Sequence, residues 1–427
     1  MNLIPVGFSG GYLCISMKTV TVIGGGAAGM MAAYTAAVNG AGVTLIEKNE
    51  KLGKKVYITG KGRCNVTNAC DTNEFFDFVN SNPKFLFSSI YGFDAFAVMN
   101  LLEENGCRLK TERGNRVFPL SDHSSDIIRT FENMLKNAGV KICKNTEVKD
   151  LIIEDDKCTG VILDDGDKIF SDAVIVCTGG KSYTPTGSDG RFFNKISKHG
   201  INVTEMYPGL VPFECSDKIC SELMGLSLKN VGLDIFIGEK RIYSGFGEML
   251  FTHFGISGPL VLTASLKYSK KYFGQKAKAY IDLKPNLSED KLDARLLRDF
   301  DENKNKNFKT VAEGLLPKRL ASYMCEVTGV PETKKINEIT VENRKRIISF
   351  LKGMELNIKG VRGFDEAIIT IGGVSTKEIN PSTMESKKIK NLYFAGEMID
   401  ADACTGGFNL QIAWSTGHLA GESASLT

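Results

Sequence analysis

Gly24, Gly26 and Gly29 are spaced as a Gly-x-Gly-x-x-Gly turn inside Thr19 to Glu47, TVTVIGGGAAGMMAAYTAAVNGAGVTLIE. A β-branched run, Thr19 to Ile23, leads into the turn, and small or apolar residues at helical spacing follow it. A second apolar run, Gly42 to Ile46, ends in Glu47, 18 residues beyond Gly29. Strand, glycine turn, helix, strand and acid together form the dinucleotide-binding fingerprint. Gly24 permits the sharp turn, Gly26 lets backbone approach a pyrophosphate, and Gly29 lets helix and strand pack closely. The helix start at Ala27 and Ala28 offers N–H groups and a positive dipole end to phosphate. Glu47 can accept hydrogen bonds from ribose hydroxyls.

Further chemistry-bearing residues follow. Lys54, Lys55 and Arg63 lie in the basic segment KLGKKVYITGKGRCNVTN (51–68), either to neutralise pyrophosphate or as a solvated loop; Gly60 and Gly62 there let backbone amides face a ring or a polyol. Near the C-terminus, Gly396-Glu397-x-x-Asp400 precedes Thr405-Gly406-Gly407-Phe408-Asn409-Leu410. An acid at a strand end can hold a hydroxyl, and glycines opening a helix can aim N–H groups at a site of developing negative charge. His253, in the glycine-dense segment GEMLFTHFGISGP (247–259), and Tyr183, after Gly179-Gly180, are candidate proton donors. Cys64 with Cys70, and Cys215 with Cys220, lie outside the spacing and context of a redox disulfide and read as buried thiols.

These residues need elements to position them, and the pattern supplies an α/β chain of Rossmann type, split in sequence by an insertion. Residues 17–194 and 355–427 read as the nucleotide domain, and 195–354 as an inserted substrate domain, β-rich over 195–285 and helical over 286–345. Residues 85–139 read as largely helical, and 140–165 as strands with a turn at Asp164-Asp165-Gly166. Residues 1–16 lack a basic n-region and a cleavage site, and read as a disordered extension outside the fold.

Composition bounds the possibilities. The chain has 427 residues, 42% hydrophobic and 24% charged, with a net charge of +3. Interspersed charge makes no electrostatic case for nucleic acid or an anionic membrane. No apolar run is long enough for a bilayer span. Eleven scattered cysteines without a C-x-x-C pair, and only four histidines, give no case for zinc or a disulfide framework. Free thiols fit a reducing cytoplasm. Only one complete Gly-x-Gly-x-x-Gly occurs, so a second domain for a resident nicotinamide is not expected.

VIGGGAAGMMAA (22–33), LGKKVYITGKGRCNVTN (52–68), TGGKSYTPTGSDG (178–190), the 247–259 segment and NLYFAGEMIDADACTGGFNLQIAWSTG (391–417) together resemble the BaiN-like or aminoacetone-oxidase-like family of bacterial FAD-binding flavoproteins. The resemblance runs from about Met17 to the C-terminus. It implies an FAD fold with an inserted β-rich substrate domain and a small helical domain. It implies FAD contacts at Gly24, Gly26, Ala28, Glu47, Lys54, Arg63, Asn65, Glu147, Val148, Gly179, Glu397, Asp400, Asn409 and Leu410. Ala27, Gly29, Lys48, Lys55, Gly60, Gly62, Cys64, Thr178, Gly180, Gly396, Gly407 and Phe408 complete the candidate cofactor set. The stretch Ala401-Asp402-Ala403-Cys404 departs from the glycine and proline expected there, which bears on the loop facing the flavin.

Relatives reduce conjugated double bonds in 3-oxo bile acids or oxidise aminoacetone. The expected function is therefore a cytoplasmic FAD-dependent oxidoreductase, fed transiently by NADH or NADPH and saturating a conjugated double bond in a steroid-like substrate held where the insert meets the FAD domain. An amine oxidase using O₂ is the first alternative. An FAD-dependent RNA-modifying protein, or a flavin-binding protein without turnover, are others. The expected partner is a small molecule, not nucleic acid or membrane.

Overall fold

The computed structural model describes residues 17–426. The proposed N-terminal extension lies outside the described residues. Two compact units divide the described residues, 17–207 with 368–426, and Pro208–Ala367.

The first unit is built on a five-stranded parallel sheet. Its order is Leu392–Phe394, Ala173–Val176, Thr19–Ile23, Gly42–Ile46, Lys141–Cys143. Such strands are covered on both faces and read as continuous apolar runs rather than alternation. The central strands are buried accordingly, with Val22, Val174, Ile175 and Phe394 inaccessible to solvent. Helix Ala27–Val38 follows the first strand, and the C-terminal helix Phe408–Leu426 lies against it. That packing depends on small residues at a four-residue interval. A Cβ on Gly417 would meet the Ala28 carbonyl oxygen at 2.5 Å, and one on Gly421 the Ala32 oxygen at 2.4 Å. The only tryptophan of the chain, Trp414, is fully buried in this helix, stacked on Phe131 at 5.0 Å and donating to the Val66 carbonyl at 3.0 Å.

Local readings differ from the structure in three places. Residues 85–139 are not helical throughout. An antiparallel hairpin, Leu109–Glu112 with Arg116–Pro119, turns at Gly114 and Asn115, both at positive φ, and pairs with Thr67–Asn68. Within Pro83–Glu104 an 18-residue stretch, with mean hydropathy 1.5, is long and apolar enough by composition for a membrane span. In the fold it is broken at Phe93, Asp94 caps the helix Ala95–Glu104, and Leu86, Ile90, Val98 and Leu102 point into the core. The domain boundaries also fall 13 residues later than 194 and 354. Ile196 and Ile201 belong to the first core, and Thr204 N donates to Gly373 O at 2.8 Å, which keeps residues up to 207 with the sheet. Strand Met354–Val361 pairs with Ala277–Asp282 and Phe213–Cys215, which places it in the second unit.

The second unit is a closed six-stranded barrel, in the order Phe213–Cys215, Gly255–Ser257, Lys240–Thr252, Ser227–Ile237, Ala277–Asp282, Met354–Val361. Closure removes open sheet edges. Phe213, Ile235, Phe251, Ile281 and Leu356 are buried in its core. Helices from Glu289–Glu302 to Val341–Lys352 share that core through Leu292, Leu296 and Ile347, so the helical part runs seven residues past 345.

No disulfide joins the described cysteines. Burial pushes the Cys64 thiol up to about 12, against a small opposing hydrogen bond with Thr59. The hydrogen bond with Cys220, then burial, pushes the Cys215 thiol up as well. Protonated thiols are poor nucleophiles, so Cys64 and Cys215 are poor nucleophiles at neutral pH.

Candidate active site

The site grows from the first turn of the sheet. Gly24 sits at φ 98°, and a Cβ on it would meet the Cys177 carbonyl oxygen at 2.6 Å. A Cβ on Gly29 would meet the Gly24 oxygen at 1.8 Å, which forces glycine there. Gly26 is different, because nothing lies within 4 Å of where its Cβ would be. It caps helix Ala27–Val38 without a side-chain partner, and that helix has no acid in its first turn. The result is an open, positively polarised helix start beside the sheet.

Glu47 lies beside the turn and is buried. Its Oε2 accepts from Gly25 N at 2.7 Å, while Oε1 accepts from Asn49 N at 2.8 Å and Asn49 Nδ2 at 2.6 Å. A carboxylate has about four lone-pair sites, so one direction remains for a ribose hydroxyl. Asn49 Nδ2 also donates to Thr186 O at 3.1 Å, and Lys48 pairs with Asp189 at 2.8 Å. Burial works to raise the Asp189 carboxyl, but hydrogen bonds from Lys48 and Arg191 outweigh it and hold it below the ordinary range. The loop after strand Ala173–Val176 is thereby tied to the residues that follow Glu47. In that loop Gly179 approaches Ser188 so closely that a Cβ would lie 2.8 Å from its hydroxyl.

A second cluster joins four distant parts of the chain. Lys55 Nζ lies 2.5 Å from Glu397 Oε2 and donates to Ser182 Oγ at 2.7 Å. Glu397 Oε1 accepts from Ser182 Oγ at 2.9 Å and Thr370 N at 2.7 Å. A Cβ on Gly180 would strike Thr370 Oγ1 at 2.3 Å and Glu397 Oε1 at 2.9 Å, and one on Gly396 would strike the Ala28 methyl at 2.7 Å. Tyr183 adjoins this cluster in the left-handed region, at φ 56° and ψ 56°.

The glycine turn before the C-terminal helix meets the Lys51–Asn68 segment. A Cβ on Gly407 would lie 2.4 Å from the Thr67 carbonyl, Asn68 Nδ2 donates to Gly406 O at 3.0 Å, and Thr67 Oγ1 donates to Gln411 Oε1 at 2.6 Å. Asn409 shapes the departing Ala401–Cys404 stretch, donating from Nδ2 to Ala403 O and accepting from Ala403 N. Phe408 is core, stacked on Phe78 at 4.4 Å.

The other candidates fall elsewhere or in partnerships of their own. Arg63 is bound to Glu112 and Asp122 and lies 4.1 Å over the Phe118 ring. Hydrogen bonds with those carboxylates raise the Arg63 guanidinium above its usual value. Lys54 lies 3.4 Å from Asn49 and from Glu50. Gly60 and Gly62 take positive φ in the turn before Cys64. Glu147 lies 3.6 Å from Arg191, and Val148 O accepts from Lys195 at 2.8 Å. Thr178 Oγ1 lies 2.9 Å from Met398 Sδ, Asp400 is buried, and Leu410 packs against the first core. His253 belongs to the second unit, exposed at the two-residue turn between strands Lys240–Thr252 and Gly255–Ser257.

Sequence reading did not single out Asn49, Ser182, Ser188 or Thr370. Ser182 meets Glu397 across 215 residues and Thr370 meets Lys181 across 189, so no local spacing signals them.

The residues present fit FAD. The open helix start at Gly26 would take a pyrophosphate, the remaining direction on Glu47 would take a ribose hydroxyl, and Asn65 Oδ1 and Ser188 Oγ are buried polar atoms without a hydrogen-bond partner. Fold and site together define an FAD-dependent oxidoreductase of Rossmann type. Residues 18–423 match the model of the HI0933-like protein Rossmann domain, and the chain belongs to that family. It is 30% identical over 414 residues to a 3-dehydro-bile acid delta(4,6)-reductase of Clostridium scindens, covering 96% of this chain and 99% of the relative. It is 30% identical over 408 residues to a ribosomal RNA dihydrouridine synthase of Haemophilus influenzae, covering 95% of this chain and 98% of the relative. In fold it resembles a quinol-fumarate reductase with TM-score 0.52 at 17% identity, over 96% of this chain and 71% of that one.

Proposed function

We propose that the chain saturates a carbon–carbon double bond conjugated to a carbonyl, using electrons from NADH or NADPH, with a 3-oxo bile-acid or steroid-like molecule as substrate. One observation carries the reading. Two relatives matched over nearly the whole chain are named for different substrates but for one kind of bond. The Δ4 double bond of a 3-oxo steroid and the 5,6 bond of uracil are both conjugated to a carbonyl. Saturating either needs hydride on the carbon remote from the carbonyl and a proton on the carbon beside it. A bound FAD supplies the hydride chemistry.

The chain's own residues bind, orient and protonate. Gly24, Gly26 and Glu47 hold the dinucleotide end, while the Lys55–Glu397–Ser182 cluster fixes the loop that carries Tyr183. A tyrosine hydroxyl placed beside a developing carbanion can donate its proton. A left-handed backbone at a residue with a Cβ costs on the order of 1–3 kcal/mol and persists where the surroundings enforce it. Tyr183 is therefore the first choice of proton donor, and His253 the second.

A second substrate class, uridine in ribosomal RNA, is favoured by the equal identity to the dihydrouridine synthase. Anaerobic reduction of the purified flavoprotein by NADH or NADPH, followed by a 3-oxo-Δ4 steroid or by ribosomal RNA, separates the two. Flavin reoxidation with a saturated steroid product supports the first, and dihydrouridine detected by mass spectrometry supports the second. A flavin that neither nucleotide bleaches but aminoacetone does would overturn both.

A further inference from the structure

We infer that the surface around Tyr272 in the second unit docks RNA, an inference that rests on the ribosomal RNA reading of the substrate. The net charge of +3 conceals an uneven distribution. Between Glu248 and Asp282 the chain has no aspartate or glutamate but has five lysines, interleaved with Tyr268, Tyr272, Phe273 and Tyr280. The fold gathers them. Helix Pro259–Ser269 ends just before Tyr272, and the chain returns into strand Ala277–Asp282. The ammonium groups of Lys240 and Lys271 lie 5.9 Å and 5.7 Å from the Tyr272 ring centre. Lys278 stands opposite Phe236, and Phe236 opposite Arg241 on the next strand, which extends the cationic row across three neighbouring strands.

Phe273 is 52% exposed at the tip, and Lys240, Lys271 and Lys276 are exposed around it. Carboxylates stand beside some of these cations: exposed Glu239 precedes Lys240 in the turn, Glu355 lies 2.6 Å from Lys278, and Asp234 lies 3.8 Å from Arg241. Among the described residues Lys240, Lys271 and Lys276 have no ion-pair partner. Lysines at the end of Pro259–Ser269 complement the helix dipole, but Lys240 and Lys276 lie outside that last turn and have no such role. Cations that meet phosphates beside an exposed aromatic that can stack on an unpaired base are the combination single-stranded RNA requires. An anionic lipid surface would take the same cations and could bury Phe273, so vesicle binding is one of the outcomes that the test separates from RNA binding.

The test uses the FAD-loaded full chain and a labelled uridine-rich single-stranded RNA, with anisotropy read across a salt series. Wild-type protein should bind with a steep salt dependence, each neutralised phosphate adding roughly 0.7 to the slope of log affinity against log salt. The triple variant Lys240→Gln, Lys271→Gln, Lys276→Gln should bind at least tenfold more weakly with a slope shallower by about 2. Phe273→Ala should weaken binding at least fivefold at every salt concentration and leave the slope unchanged. Flavin bleaching by NADH or NADPH should be the same in all three proteins. Absence of RNA binding by the wild type, equal binding by the triple variant, or binding to phosphatidylglycerol vesicles in place of RNA would overturn the inference. Dihydrouridine formed equally by wild type and triple variant would overturn the surface while leaving the substrate reading intact.

Discussion

Gly26 of the first unit and Gly255 and Gly258 of the second do opposite work. In the first, Gly26 stands before an uncapped helix start with nothing within 4 Å of its absent Cβ. In the second, Cβ atoms on Gly255 and Gly258 would meet backbone at 2.2 Å and 2.9 Å, because the barrel strands close tightly around Phe213, Ile235 and Phe251. Gly26 keeps backbone groups clear for a ligand, whereas Gly255 and Gly258, like Gly29 and Gly417 of the first unit, bring backbone segments together. A Gly-rich stretch thus marks a binding site only where the space beside it is left open.

Substitutions that add a Cβ should separate the two uses. Gly29→Val places atoms where the Gly24 oxygen already lies, 1.8 Å away. Overpacking of that kind costs about 3 kcal/mol or more when backbone must move. FAD affinity should fall at least 100-fold, read by flavin absorbance after gel filtration. Gly255→Ala, with its Cβ 2.2 Å from Phe213 O, should cost roughly 2–3 kcal/mol in the barrel. Flavin should be retained, and Trp414 fluorescence, which reports the first unit alone, should keep its transition while hydrogen exchange in the barrel accelerates. Loss of flavin from Gly255→Ala would break the comparison.

A smaller effect is expected where the first unit is tied together by polar bonds. Glu397→Ala removes the partner of Lys55, Ser182 and Thr370 N. The group is 22% exposed, so solvent compensates in part, and about 1–3 kcal/mol should be lost from the Trp414 transition. Glu397→Gln keeps an acceptor for Ser182 and Thr370 and should lose less. Equal losses would show that charge, rather than the hydrogen bonds, holds the cluster.

The smallest expected effect is a pH dependence. Burial, partly opposed by Glu422, holds His418 below its ordinary 6.5, stacked on Phe93 at 4.2 Å. The unfolded chain therefore binds a proton before the native one does. Its contribution is intact above pH 6.5 and is lost as pH falls below that value, until the native imidazole itself titrates. His418→Phe should flatten the loss of Trp414-monitored stability between pH 7 and 5, and an NMR titration should put the native imidazole below 6.5.

The legible parts of the molecule are those whose physics is local. Strand, glycine turn, helix and Glu47 lie within one short stretch, and each residue type there answers a constraint a few residues away. The inserted β and helical runs are legible by composition, as Leu233 to Ile237 and Ala279 to Leu283 fall within or end at strands of the barrel. Barrel order is not, because pairing Phe213 with Val361 needs closure over an interval that no pattern marks. Residues 109–119 read as helix because the apolar spacing at Phe96 to Leu102 was carried through them, whereas Gly114 and Asn115 at positive φ turn a hairpin there. The Lys55–Glu397 pair joins residues 342 apart, and only the fold reveals it.

The central claim is that the cradle around Gly26 and Glu47 binds FAD that exchanges electrons with a nicotinamide. The most direct test is to mix the purified protein with NADPH, then NADH, without oxygen and to record the visible spectrum. A yellow protein that releases stoichiometric FAD on denaturation, and bleaches with one of the nucleotides, is the predicted result. A colourless chain that takes up no FAD would contradict it.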